Sequence, residues 1–572
     1  MESLFNRERH NLEALVKVAR LNVGQFDGFS YFIKGDISGI QDFIFTVKSE
    51  KAAKTLKARS YFIQALSEIS LRLIEDKMGE GNIALLYNGG GNFYLFAKET
   101  IIQELPKIRE AVNEACKEEE YYVTLSVVKT GNLFDFGKNW KDVQQQSAKD
   151  KLEKFKSKEF SQVFEAFSAP PVEEWDIFTP NFTKAKGFNL KTTAIPSPKV
   201  SWNGIKSLGY KLELCQPNQL GCNGNQFEKS MVNKVPRWDG DLLNKYEEEI
   251  KALRQQKKED DDDKSSIPKE GGVIEFQWLT RFAKDRTGTD KLAVLTMDVD
   301  NLGKLFDHFD EITDLKATSD ALKWFFDHFM LTLWNEKFTW HEKLENDKVE
   351  ERQEEFKNNI YVVFSGGDDC FLLGAWDAVF EFALRLQQEF DSFADWLKDN
   401  VKTIKDKPTL SAGLIVVDPN YPVVRFADLA KEALKTAKSF KDKNGRQPKN
   451  RISVFGQVLT WAEFEGAQKL SDQLRKLIQE KGESRAVIER IKHSADGYEN
   501  LQNAALRGDV PAPKVHRLFY FLRNVKKKDN LDEMNKIIQE YANALIAAFE
   551  QKTPVNPMKF PVAARWAEFL TR

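Results

Sequence analysis

Cysteine is scarce: the 572 residues hold four, Cys116, Cys215, Cys222 and Cys370. So few cannot build a disulfide framework, and they suit a reducing, cytoplasmic setting. No run of about 18 apolar residues occurs, which excludes a helix crossing a membrane. The N-terminal stretch MESLFNRERHNLEALVKVAR carries charge throughout and does not read as a secretory signal. An excess of one sign of charge is also missing. Eighty-five Lys and Arg stand against 87 Asp and Glu, so any contact with nucleic acid must come from local patches.

What is present is a duplication. The length predicts about three or four domains. FSYFIKGDISGIQDFIF (29–45) reads as strand, tight turn and helix, and NIALLYNGGGNFYLFA (82–97) as a hairpin, followed by a helix near 101–118 and the strand YYVTLSVVKTG. The same order returns in KLAVLTMDVDNLGKLF (291–306), a Trp- and Phe-rich helix near 318–340, NIYVVFSGGDDCFLLGAW, a long helix and TLSAGLIVVD. Aligning the copies sets Asp36 on Asp298, Ser38 on Asp300, Gly91 on Asp368 and Asn92 on Asp369. Each copy has the order of a ferredoxin-like split βαβ unit, which predicts an α+β fold with helices covering one face of each sheet.

Two adjacent carboxylates at the tip of a hairpin between apolar strands are costly unless something neutralises them. An acidic hairpin tip alone is most simply a solvated turn. Here the DVD turn ends the strand expected beside the hairpin, so three or four carboxylates converge and a pair of Mg²⁺ or Mn²⁺ ions would answer them. The glycines of SGGDD let the backbone turn tightly and approach phosphates.

GDISGIQDFIF, AAKTLKARSYF, LLYNGGGNFYL, LAVLTMDVDNLGKLF, FSGGDDCFLL, LSAGLIVV and KNRISVF occur in this order over residues 35–455. Together they resemble the large, signal-generating palm subunit of type III CRISPR-Cas effector complexes. The resemblance implies two palm domains related to nucleotidyl cyclases, the second making cyclic oligoadenylates from ATP when guide RNA pairs with target RNA. It implies metal ligands at Asp298, Val299 (through its carbonyl), Asp368 and Asp369, with the three aspartates catalytic. Nucleotide contacts fall on Ser365, Gly366, Gly367, Asn301 and Lys438, with Lys449 and Arg451 as weaker candidates. The first palm has GGGN in place of GGDD, so Gly89, Gly90 and Gly91 are expected to shape an acceptor pocket without metals; a purely architectural duplicate is the alternative.

The expected division is a helical segment 1–28, a degenerate first palm 29–150, a linker domain 151–275, a catalytic second palm 276–456 and a helical bundle 457–572. GDISGIQ starting near residue 35, with no His-Asp pair among six histidines, predicts that the N-terminal nuclease domain of many relatives is missing. Cys215 and Cys222 alone cannot complete a structural zinc site, so no zinc is expected; Cys116 reads as helix core and Cys370 as packed in its strand. Guide and target RNA are expected through other subunits, with a small subunit on the C-terminal bundle. Phe188 and Trp202 among five lysines (184–206), and the run from Arg523 to Lys528, are candidate contacts. The same chemistry with S-adenosylmethionine as acceptor, and a non-catalytic scaffold, are the competing functions; a free-standing diguanylate cyclase is disfavoured by the duplication.

Overall fold

The computed structural model describes residues 3–22, 28–47, 52–79, 81–89, 91–115, 122–133, 135–153, 187–192, 210–215, 227–230, 234–256, 267–306, 309, 311–344, 348–441, 445–494, 519–520, 525, 528–549 and 556–572. Gly90, Cys116, Cys222, Trp202, Arg523 and Lys526 lie outside them, and of Phe188 and Cys215 only the backbone is described.

The first half is built on β1 (Tyr31–Ser38), β2 (Ile83–Gly89), β3 (Asn92–Ala97) and β4 (Tyr122–Lys129), in the sheet order β2-β3-β1-β4. All its neighbours run antiparallel. Helix Ala52–Met78 joins β1 to β2, and Ile101–Ala115 joins β3 to β4. Leu56, Ile63, Leu66, Ile69 and Ile74 recur at helical spacing and bury the first of these.

After a three-stranded sheet of β5 (Gly187–Thr192), β6 (Tyr210–Cys215) and β7 (Phe227–Ser230), the second half repeats the plan. Its strands are β8 (Leu292–Val299), β11 (Ile360–Gly366), β12 (Asp369–Ala375) and β13 (Leu410–Val417), in the order β11-β12-β8-β13. Both sheets have ferredoxin-like connectivity, and the duplication read from sequence holds to the residue. Asp36 pairs with Asn92 where Asp298 pairs with Asp369. A register shift falls between Leu85 and Tyr87 in one hairpin and between Val362 and Phe364 in the other, at equivalent positions.

Three expectations need correction. Helices were expected on one face of each sheet, yet β1 and β12 are buried along almost their whole length. In β3, Phe93, Leu95 and Ala97 face one apolar cluster, while Tyr94 and Phe96 face another with Phe136 and Trp140. The halves close each other's second face, as where the Phe45 and Phe371 rings lie 4.6 Å apart. Second, the helical end does not begin at 457. β14 (Arg451–Val454) and β15 (Gln457–Thr460) extend the second sheet, and helix Trp461–Gln479 starts after them under a Thr460–Glu463 capping box. Third, the aromatic helix stops at Trp334, and a charged hairpin follows, β9 (Lys337–Lys343) with β10 (Val349–Glu355). Among the described residues no helix is long and apolar enough to cross a membrane.

Candidate active site

The sheet edge at the end of β8 gathers the acidic motifs. Asp298 and Asp369 are direct partners across the antiparallel β8–β12 pair, which puts both side chains on one face. Gly366 pairs with Asp369 to close the hairpin, and Gly367 takes φ +74°, which glycine adopts without strain. The Asp368 carbonyl accepts from the Val299 amide at 2.9 Å, locking the tip onto the DVD turn.

Desolvation dominates the electrostatics here. Burial pushes the Asp368 carboxyl up to about 6, and burial plus the neighbouring Asp368 charge holds Asp369 well above the usual carboxylate range. Among the described residues neither has a lysine or arginine ion-pair partner. Asp298 does: the Lys438 ammonium lies directly against it. Burial, with Lys449 nearby, draws Lys438 down to about 8.

The fourth carboxylate does not converge. Asp300 turns into the fold and accepts from Ser411 (2.8 and 2.9 Å), Thr409 (2.8 Å) and the Asn450 amide (2.8 Å). It pins the DVD turn to β13 and the start of β14. Among the described residues no three His, Cys, Asp or Glu side chains form a group that could hold a metal ion. Asp298, Asp368 and Asp369 thus share an edge without closing on one point, with a lysine cation on the first and two desolvated carboxylates beside it. Hard oxygen donors short of positive charge fit a divalent ion.

Ser365 is buried, and its hydroxyl donates to the Phe326 carbonyl at 2.8 Å. That carbonyl belongs to the π-helical turn Phe325–Phe329. Asn301 is exposed at φ +57° and its carbonyl accepts the Leu305 amide, starting the helix after the DVD turn. Arg451 stacks over the Phe440 ring, 4.5 Å to its centroid. Cys370 is buried and free, as expected of a strand residue.

The first half answers its remaining acid differently. Asp36 is held by Lys34 (3.0 Å) and Lys151 (2.6 Å), and Lys34 also donates to Gln144. Two ammonium groups thus neutralise the residue equivalent to Asp298. Lys34, two positions before Asp36 on the same strand face, was readable from sequence; Lys151, on the distant helix Phe136–Leu152, was not.

The two glycine turns meet. A Cβ on Gly89 would lie 3.1 Å from the Gly367 nitrogen, and one on Gly367 would lie 1.9 Å from the Tyr87 hydroxyl. Tyr87, absent from the sequence reading, has its hydroxyl pushed far up by burial and by Asp368 and Asp369. Its ring leads through tilted contacts with Tyr94 and Trp140 to an edge-on contact with Phe306, at the end of the helix after the DVD turn. Between the halves lies a cavity of about 550 Å³, lined by Ser38, Gly39, Gly91 and Lys151 on one side and Ser365 and Asp369 on the other.

Known families match both halves. The profile of the Cas10/Cmr2 second palm domain matches residues 291–447, and that of Csm1 subunit domain B matches residues 29–168. A Cas10/Csm1 of subtype III-A from Methanocaldococcus jannaschii is 26% identical over 492 residues, covering 75% of this chain. Its counterpart from Thermococcus onnurineus is 29% identical over 471 residues, covering 77%. In both halves, and over three quarters of its length, the chain is similar to the Cas10/Csm1 family. It spans 59% and 56% of those two relatives, both named CRISPR system single-strand-specific deoxyribonucleases. A Csm1–Csm4 subcomplex of the type III-A interference complex has the same fold over 98% of this chain and 73% of its own, with TM-score 0.65 at 20% identity. A Csm1–Csm4 cassette in complex with one ATP (TM-score 0.65) and another with cA4 (0.64) match equally well at 20% identity, each covering 98% of this chain and 73% and 72% of their own. The second-palm match takes in Asp298, Asp368, Asp369 and Lys438 of this chain.

The desolvated pair gives a pH signature. A carboxyl whose folded pKa is raised binds its proton more tightly folded than unfolded, so its contribution to stability is present at low pH and lost as pH rises through about 6. The metal-free chain should therefore lose thermal stability as pH rises from about 4 through about 6, with Asp369 carrying the fall further upward, and Asp368→Asn with Asp369→Asn should flatten that slope. Calorimetric Tm across the range, with wild type and variant in the same buffers, checks it; equal slopes would refute the desolvated-pair description.

Proposed function

We propose that this chain is the target-RNA-activated nucleotidyltransferase subunit of a type III CRISPR-Cas antiviral complex and converts ATP to cyclic oligoadenylate messengers. The observation that carries the reading is the Asp298–Asp369 strand pair, with Asp368 at the tip and Asp369 lining a cavity whose opposite wall lacks the paired acids. Structural neighbours crystallised with ATP, cA3 and cA4 support it.

In this reading Asp298, Asp368, Asp369 and the Val299 carbonyl would hold Mg²⁺ or Mn²⁺. Such ions supply Lewis-acid stabilisation of the transferring phosphoryl group. The 3′-hydroxyl of one adenosine attacks the α-phosphorus of the other ATP. A new O–P bond forms, the α–β bridge breaks, pyrophosphate leaves and the hydroxyl proton passes to solvent. Lys438 would serve the triphosphate. Gly366 and Gly367 allow the backbone close to it. On the opposite wall Lys151 and the Ser38–Gly39 turn would hold the acceptor by charge and hydrogen bonds. Productive alignment of two bound reactants, more than any single contact, supplies the rate.

Mass spectrometry of products from the assembled complex, given ATP, Mg²⁺ and target RNA, tests this. Cyclic oligoadenylates with pyrophosphate are the expected result. A product that appears only with added S-adenosylmethionine would replace the acceptor, and unchanged ATP would leave a scaffold. The same preparation given single-stranded DNA tests the expectation that no nuclease activity accompanies the two palms; metal-dependent cleavage by this chain would overturn it.

A further inference from the structure

A second cavity, of about 350 Å³, lies at the opposite end of the second sheet. It is lined by strand β9 and by helices Phe276–Thr287, Trp376–Asn400, Trp461–Gln479 and Lys559–Leu570. The seven-residue strand β12 separates it from Asp369, which is about 20 Å at strand rise.

Its floor holds an incompletely satisfied cation. The Arg475 side chain is 2% exposed, and its Nη1 donates to Gln479 and Glu480. Its Nε and Nη2 are buried with no hydrogen-bond partner; the nearest acid, Asp472, stands 3.9 Å from Nε. Those two nitrogens form the side-on edge of the guanidinium, two parallel donors spaced for the two oxygens of a carboxylate or phosphate. A buried donor left unmet costs about 1–3 kcal/mol, so the edge favours an acceptor that enters.

The rest of the lining defines the other end of a ligand. Arg286 is already engaged, bidentate on Asp377 at 2.6 and 2.9 Å. Glu381 accepts from Gln468, and its carboxyl and that of Asp472 are both pushed up by burial, beside Lys337, Arg385 and His341. Trp340 and Trp566 supply apolar walls.

We propose that this cavity binds a small oxyanion, a carboxylate or a phosphate, gripped by the side-on edge of Arg475 against the standing charge of Asp472. A compact ligand of this kind would tie the catalytic half to the C-terminal helices, because Glu381 and Arg475 come from the two parts.

Calorimetric titration of the full chain with glycine and, separately, inorganic phosphate tests it and distinguishes the two head groups. One of the two is expected to saturate. Arg475→Gln should weaken that probe roughly tenfold or more. Asp472→Asn should tighten it severalfold, because the nearest repelling charge is gone. Asp368→Ala with Asp369→Ala should bind it as wild type does. Neither probe saturating in the wild type by tens of millimolar overturns the proposal, as does undiminished binding by Arg475→Gln. Should Arg475→Gln fail to fold, Asp472→Asn decides: unchanged or weaker binding overturns it.

Discussion

Asp368→Ala combined with Asp369→Ala is expected to abolish ATP turnover while the chain still folds and assembles. Both carboxyls sit at a desolvated tip with no described cation beside them, and each is pushed up for that reason. Their removal relieves a burial cost, so stability should not fall. In the proposed reaction the variant removes two of the three acids that would hold the metal. A fall of at least about a thousandfold in kcat corresponds to roughly 4 kcal/mol of lost transition-state stabilisation. Pyrophosphate release from the assembled complex is the measurement, with Tm on the same sample. Turnover near the wild-type level would remove the acidic edge from the reaction.

Gly367→Ala should be nearly as damaging, for a steric reason that can be reversed. Alanine at φ +74° costs on the order of 1–2 kcal/mol. Its methyl would also fall 1.9 Å from the Tyr87 hydroxyl. The tip must then shift away from the first half, moving Asp368 and Asp369 with it, and a displacement of about 1 Å can cost on the order of a hundredfold in rate. Tyr87→Phe removes the clashing atom; the next ring carbon stands 3.2 Å off. The double variant should therefore recover a large part of the lost activity while keeping the strain. Activity of Gly367→Ala, Tyr87→Phe and the pair, measured together, decides it. No recovery in the pair would mean that the hydroxyl is not the obstruction.

The hairpin and the DVD strand were legible because their signals are local: apolar runs with a glycine turn and acids at fixed offsets. Internal comparison even fixed the register, since Asp36–Asn92 and Asp298–Asp369 occupy the same rung. What escaped depends on distant chain. Lys151 reaches Asp36 from more than a hundred residues away, and Tyr87 reads as an ordinary strand aromatic until Gly367 is found against it. Asp300 shows the opposite failure. Its spacing matched a ligand pair, yet four hydrogen bonds from Ser411, Thr409 and Asn450 commit it to holding the turn. The β9–β10 hairpin was missed because its exposed, charged strands carry little apolar alternation.

Each of the two apolar clusters takes in residues of both sheets: Phe96 with Leu295 in one, Leu95 with Val294 in the other. A gene duplication usually frees one copy to decay. Here the copy without the paired acids still furnishes an inner wall for the one that has them, so a substitution along that shared seam should disturb both sheets at once. The loss of chemistry and the retention of shape in residues 29–150 are then two sides of a single constraint.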